Sequence, residues 1–303
     1  MSQVPNAAAA PDQRNAAAWM RVYLDVTRPR VIALVLFTGL PVLALGRAVW
    51  PSPWEAFWIL TGTALAGGAS SALNAYVERE SDAKMARTRS RPLPAATIVP
   101  HMVLGYGLLL TVVSTAILAW IGGWLAAVVG LGTIVFYVVV YTMWLKPRTP
   151  QNIVIGGAAG ATAPLIAAAA LDGSLTLPAW ILFAIVFLWT PPHFWAVALY
   201  RKAEYANAGF PMMPIVVGDQ PTRWRSLIYT VLTLIVSLVP VALGDLGVVY
   251  AVSAVGLGGW FLWSVIASMR AQHPSADRRV FAVSIAYLFL LYLLMMVDLL
   301  LPW

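Results

Sequence analysis

Nine stretches of this chain read as membrane-spanning helices: 31–50, 54–77, 102–121, 124–144, 152–170, 178–199, 226–243, 248–269 and 280–301. Each comes close to the ~20 apolar residues needed to cross the hydrocarbon core. Short Gly- or Pro-bearing connections separate several of them, as at Gly122-Gly123 and Pro178. Two polar connections are long, about 78–101 and 200–225, and they follow the second and sixth spans. That spacing predicts an all-α polytopic membrane protein made of two four-helix halves plus a ninth helix. Residues 1–18 are Ala-rich and polar, and we expect a disordered tail there before one transmembrane domain over 19–303. The tail has neither the apolar core of a secretion signal nor the Arg/Ser richness of a transit peptide.

Charge orients the array. With the N-terminus in the cytoplasm of a prokaryotic plasma membrane, 18 of the 19 Lys and Arg residues fall on the inner side and only Arg47 falls outside. That is the positive-inside pattern, and the opposite orientation inverts it. The chain is 61% hydrophobic and 10% charged, far from a soluble domain. Its net charge of +7 therefore reads as cytoplasmic loop charge beside a lipid bilayer, with no call for nucleic acid. The absence of Cys excludes disulfides, thiolate nucleophiles and Cys-bound metals.

The polar residues that stand out lie at the inner ends of the second and sixth spans. Asn74, Glu78 and Asp82 are spaced i, i+4, i+8, which puts them on one helical face. Two carboxylates and an amide oxygen are hard ligands suited to Mg²⁺, which is commonly held by one or two carboxylates together with substrate phosphates. The alternative is a solvated helix end paired with nearby Arg. Lys84, Arg87, Arg89 and Arg91 follow directly. They are either ordinary cytoplasmic charge or a clamp for phosphate oxygens, which Arg binds with a bidentate fork. Tyr200 and Glu204, at i and i+4, give a weaker counterpart at the sixth span. Thr190-Pro191-Pro192-His193 lies inside that span, where two prolines interrupt the hydrogen-bond ladder. His193 is either a helix-packing imidazole or a group facing a ligand, imidazole being a usual haem-iron ligand. The small-residue runs at 66–71 and 156–160 read as close helix packing.

Together these stretches resemble the intramembrane aromatic prenyltransferase superfamily, and within it the haem-farnesylating branch. The resemblance is carried by TRPRV, GGASSALNAYVERESDAKMARTRSRPLP, LKPRTPQNIVIGGAAGATAPLI and LWTPPHFWAVALYRKAEYANAGFPMMPIVVG, in that order. Two positions differ from the wider pattern: Glu78 stands where many members have Asp, and Tyr200 and Glu204 stand where many have two Asp.

The resemblance implies Mg²⁺-dependent transfer of a farnesyl group from farnesyl diphosphate to a vinyl group of haem B, giving haem O. It implies catalytic roles for Asn74, Glu78, Asp82, Tyr200 and Glu204, with metal on Asn74, Glu78, Asp82 and Glu204. Lys84, Arg87, Arg89, Arg91, Lys146, Arg148 and His193 would bind substrate. A haem A synthase or terminal oxidase assembly would receive the product. A quinone precursor such as 4-hydroxybenzoate is the alternative acceptor. A secondary transporter is the alternative class, but transporter sites lie near the midplane and these carboxylates lie at the inner border.

Overall fold

The computed structural model describes residues 15–45 and 50–301. Arg47 and residues 1–14 of the expected tail lie outside the described residues. From Ala16 the chain is helical. Helix α1 (Ala16–Thr27) ends at Arg28 and α2 (Pro29–Gly39) begins there. A 3₁₀ turn over Leu40–Leu43 extends α2. The two segments meet at a 54° bend.

Helix α3 (Pro53–Ala83) starts with a capping box, in which Ser52 Oγ accepts from the Glu55 amide and Glu55 Oε2 accepts from the Ser52 amide. At 1.5 Å per residue its 31 residues run about 46 Å, well beyond the ~30 Å hydrocarbon layer. The helix thus continues past the predicted end at residue 77 and carries Glu78 and Asp82 as helical residues.

Next comes α4 (Pro100–Val135), continued as a π-helix over Phe136–Leu145. Gly123 breaks it, with φ 72° and ψ −174°, a conformation open to glycine and costly for other residues. The chain folds back at that point. A Cβ on Gly130 would lie 2.5 Å from Leu118 Cδ1, whereas twelve residues of straight helix would separate them by about 18 Å. The Gly122-Gly123 turn read from the sequence is therefore a hairpin between two antiparallel legs.

The remainder comprises α5 (Asn152–Gly160), α6 (Ala163–Asp172), α7 (Leu177–Tyr200), α8 (Lys202–Asn207), α9 (Met213–Val216), α10 (Asp219–Ser237), α11 (Val239–Ala242), α12 (Val248–Ala271) and α13 (Pro274–Leu299). No strand occurs among the described residues. Seven helices are long and apolar enough to cross a membrane, or eight with the bent pair at the start. One of the seven is the folded-back 100–145 segment. Helix α7 stays a single helix through Pro191 and Pro192.

Helix α3 packs on α4, and α4 on α6; α7, α10, α12 and α13 pack on one another. The ninth predicted span, α13, thus belongs to the second group, and it also touches α2, where Phe37 stacks on Phe289 at 4.9 Å. Large apolar side chains such as Leu109, Val112, Val128 and Val252 are exposed around the outside, as a lipid-facing surface requires. Trp54, Trp120 and Trp124 are exposed at the end opposite Glu78 and Asp82. Trp at a membrane boundary is the familiar aromatic belt.

Candidate active site

Asn74, Glu78 and Asp82 line one face of α3 and are 1%, 6% and 2% exposed. Buried polar groups need partners, and each of the three meets one from a different part of the chain. Arg28 Nη2 donates to Asn74 Oδ1 at 2.9 Å. Lys146 Nζ donates to Glu78 Oε1. Arg91 Nη1 donates to Asp82 Oδ2 at 2.8 Å. The amide of Asn74 is fixed from both ends, because its Nδ2 donates to Thr142 Oγ1 at 3.1 Å.

The π-helix puts Lys146 in place. Tyr137 and Lys146 are nine residues apart, two and a half turns of an α-helix, which would set them on opposite faces. In a π-helix, whose bonds run from i to i+5, nine residues make about two turns and the two share a face. The Lys146 amide makes that longer bond to the Tyr141 carbonyl at 2.9 Å. Tyr137, Thr142 and Lys146 consequently all turn toward α3. Tyr141 packs closely on Gly156, where a Cβ would come within 2.1 Å of the ring.

The loop after α3 places Arg91. Thr88 Oγ1 donates to the Asp82 carbonyl at 2.7 Å. Met85 is buried in a cluster with Trp195, Phe210, Met212 and Met213. Burial at 82, 85 and 88 carries the inward side of the loop on to 91, while Lys84, Arg87 and Arg89 point out and are exposed. Of the four loop cations read as a phosphate clamp, only Arg91 reaches the acidic column. Arg148 is also turned away and donates to the Met143 and Trp144 carbonyls at 3.0 and 3.1 Å. Burial pulls the Arg91 guanidinium below its ordinary value, the Arg28 charge adds to this, and Asp82 partly offsets it. For Lys146, burial pulls downward, but the Glu78 carboxylate and Tyr141 outweigh it and hold the ammonium above its usual range.

The second motif is split. Helix α7 ends at Tyr200 and α8 starts at Lys202, with Arg201 non-helical between them. Tyr200 and Glu204 therefore do not share one helical face as their spacing predicts. The ring of Tyr200 meets Arg201 at 5.6 Å, Arg278 at 5.4 Å and Phe281 at 6.1 Å. Glu204 pairs with Arg201 at 2.7 Å, and its Oε2 is buried without a hydrogen bond. What this segment brings to the first motif is Phe210, whose ring lies 4.9 Å from Lys146 Nζ. Among the described residues no three acidic or His side chains stand close enough together to hold a metal by themselves.

His193 lies between the Trp189 and Phe281 rings, at 4.3 and 4.7 Å, with Nδ1 2.7 Å from Ser284 Oγ. It packs α7 against α13, and among the described residues no hydrogen bond or ring contact joins it to the acidic column.

A cleft with an empty volume of about 640 Å³ adjoins the column. Thr63, Ala66, Gly67, Ser70 and Ser71 of α3 form one wall, facing α2, Tyr137 and the α5–α6 break. Those residues continue the face of Asn74 toward the membrane interior. The small residues Ala66, Gly67, Ser70, Ser71, Ala159 and Gly160 thus line the cleft. Arg28, Thr142, Tyr137 and Phe210 were not among the residues singled out by sequence. The signal for Arg28 was its place in TRPRV, a cation beside Pro at the mouth of a span.

A membrane-embedded helical array, with paired carboxylates and cations at one border and an apolar cleft leading inward, defines an intramembrane prenyltransferase. The chain belongs to the UbiA prenyltransferase family, whose model matches residues 35–294. It is 42% identical over 301 residues to a protein called protoheme IX farnesyltransferase from Parvibaculum lavamentivorans, covering 95% of this chain and 93% of that one. A protein of the same name from Alkalilimnicola ehrlichii is 46% identical over 284 residues, covering 93% of each. Among solved structures, one of digeranylgeranylglyceryl phosphate synthase has a TM-score of 0.77 at 16% identity, covering 92% of this chain and 98% of that one. A UbiA homolog from Archaeoglobus fulgidus bound to GPP and Mg²⁺ has a TM-score of 0.64 at 15% identity, covering 89% and 99%. The chain is a multi-pass membrane enzyme that transfers prenyl groups.

Proposed function

We propose that this enzyme transfers the farnesyl group of farnesyl diphosphate to a vinyl group of haem B, with addition of water, giving haem O and diphosphate. The observation that carries the reading is the buried column of Asn74, Glu78 and Asp82, matched by Arg28, Lys146 and Arg91, at the mouth of an apolar cleft. Relatives at 42–46% identity bear the name of this activity.

The donor set fits a magnesium ion. Glu78 and Asp82 offer hard oxygens on successive turns with the Asn74 amide beside them, and phosphate oxygens would complete the shell. Glu204, with one buried oxygen lacking a hydrogen bond, is the further carboxylate we assign. Bound there, the ion would neutralise the diphosphate as a leaving group. Lys146 and Arg91 would shift from carboxylate to phosphate oxygens and stabilise the charge that builds as the donor C–O bond breaks. Lys84, Arg87, Arg89 and Arg148 would add to the attracting field. The cleft along α3 would take the prenyl tail and keep water from the allylic cation. The vinyl terminus then forms the new C–C bond, and water captures the resulting cation with loss of a proton. Tyr200 and His193 would border the acceptor.

We further propose nine crossings, with the N-terminus and both long connections on the cytoplasmic side of a prokaryotic plasma membrane. Hand-over of product to a haem A synthase or terminal oxidase assembly fits this reading. The test is incubation of purified protein with Mg²⁺, farnesyl diphosphate and either haem B or 4-hydroxybenzoate. A farnesylated, hydrated haem mass is expected. A prenylated benzoate with no haem product would overturn the acceptor assignment.

A further inference from the structure

Arg278 is exposed near the start of α13. A cation at that end of a helix opposes the helix dipole, so the helix itself has no use for it. The carboxylates at this border of α8, α10 and α13 are engaged elsewhere. Asp277 is 1% exposed and accepts both prongs of Arg223, at 3.0 and 2.7 Å. Glu204 holds Arg201 and Asp219 holds Lys202, each at 2.7 Å. Among the described residues Arg278 forms no ion pair. Its guanidinium carbon sits 5.4 Å from the centre of the Tyr200 ring, and that of Arg201 sits 5.6 Å from the same centre. The two guanidinium groups are therefore no more than about 11 Å apart. Deeper in the membrane both helices carry aromatic rings. On α13, Phe281 follows Arg278 at i+3, on the same face. On α7, Phe194 precedes Arg201 by seven residues, about two turns. Phe281 stacks on His193 at 4.7 Å, and Phe194 meets the same imidazole edge-on at 5.0 Å. Phe281 is partly exposed and Phe194 is 44% exposed. The α7–α13 seam thus offers cations at the border and flat apolar rings below them.

We propose that Arg278, with Arg201, binds the propionate carboxylates of the haem acceptor, whose macrocycle lies against Phe194 and Phe281. This rests on the haem reading above. A flat conjugated ring with two carboxylates on one edge matches both halves of the seam. The guanidinium fork suits a carboxylate, and the aromatic rings suit the macrocycle. The pair is separate from the acidic column: among the described residues no ion pair joins Arg201 or Arg278 to Glu78 or Asp82. Both sites nevertheless lie at one border, because the segment after Tyr200 returns Phe210 to within 4.9 Å of Lys146 Nζ.

The test removes the charge from either side. Esterifying the propionates leaves the ring and abolishes its carboxylates, so haem B and its dimethyl ester differ only there. Quenching of tryptophan emission would give the affinity of each for wild type, Arg278→Gln and Arg270→Gln in detergent. Arg270, exposed in the last turn of α12, controls for general loss of border charge. Wild type should bind haem B about tenfold more tightly than the ester, the scale of one charge-assisted hydrogen bond. Arg278→Gln should lose most of that preference by weakening haem B alone, and Arg270→Gln should keep it. Equal weakening of acid and ester by Arg278→Gln would make the residue a packing partner of Tyr200 and overturn the proposal. Equal binding of acid and ester by wild type would overturn it too, and would leave the haem reading standing. So would a full preference in Arg278→Gln; loss of co-purified anionic phospholipid from that variant, read by mass spectrometry, would then assign the cations to a lipid headgroup. Failure of wild type to bind either compound would instead remove the haem reading on which the proposal rests.

Discussion

Replacing Lys146 by Met isolates the buried ion pair at the heart of the site. Methionine keeps an unbranched apolar side chain over the Phe210 ring, so the change removes chiefly the charge. The Glu78 side chain, 7% exposed, then faces no cation, and the Lys146 position itself is only 12% exposed. Breaking a buried pair from one side costs about 3–5 kcal/mol. Replacing both partners by neutral side chains removes the stranded charge, so the double change should cost far less than the single one.

Thermal unfolding followed by tryptophan emission would read this for Lys146→Met, Glu78→Gln and the double variant. The single Lys variant should melt roughly 6–20 °C below wild type, at about 2–4 °C per kcal/mol. The double variant should recover most of the stability while remaining inactive. A Lys146→Met protein as stable as wild type, or a double variant that melts no higher than the single Lys variant, would refute the reasoning.

Other consequences are as direct. Asp82→Asn should retain the fold and lower turnover by at least a hundredfold; full wild-type activity in excess EDTA would remove the metal from the scheme. Since the chain has no Cys, Ser90→Cys and Ser174→Cys can be labelled without background, and an impermeant reagent should reach them from opposite sides. Gly156→Ala should cost about 1–3 kcal/mol by overpacking against Tyr141 and lower activity by moving the Lys146 leg, whereas Gly256→Ala, with nothing within 4 Å, should be neutral in both assays. His193→Phe keeps the stack between Trp189 and Phe281 and loses the bond to Ser284, so its stability should fall by only about 1 kcal/mol; weaker haem binding with an altered Soret band is expected, and an unchanged band and affinity would leave His193 a packing residue.

Much of the fold was legible because long apolar runs in lipid have few alternatives to helix. The charges then marked which ends share a side. Some boundaries could not be read. Glu78, Arg79, Glu80, Ser81 and Asp82 look like the start of a loop, yet α3 continues to Ala83. There Asp82 finds Arg91 and Glu78 finds Lys146, and such pairing is invisible to hydropathy. Likewise Tyr200 and Glu204 follow helical spacing, but the chain turns at Arg201 and sends them to different partners.

The cations show best why composition alone underdetermines a site. Lys84, Arg87, Arg89 and Arg91 are equivalent as a charge run, and only docking of Met85 and Thr88 sends the fourth inward. Lys146 is nearly seventy residues from Glu78, and its aim depends on a π-helix that no α-helical periodicity would predict. The outcome has a common physical cause. Carboxylates buried at a membrane border cannot wait unpaired for a ligand, so each of the two holds a cation in the meantime. Arg28 is the exception, resting on a neutral amide. Counting Arg28, Arg91 and Lys146 against Glu78 and Asp82 leaves the site with one net positive charge. A magnesium–diphosphate complex is itself anionic. Its arrival would turn two internal ion pairs and one unneutralised cation into a single balanced cluster. On this hypothesis metal and diphosphate bind together far better than either alone, because one without the other strands the cations or the carboxylates in a low-dielectric site. Calorimetric titration of pyrophosphate with and without Mg²⁺ measures that coupling, and equal affinity in the two titrations would rule it out.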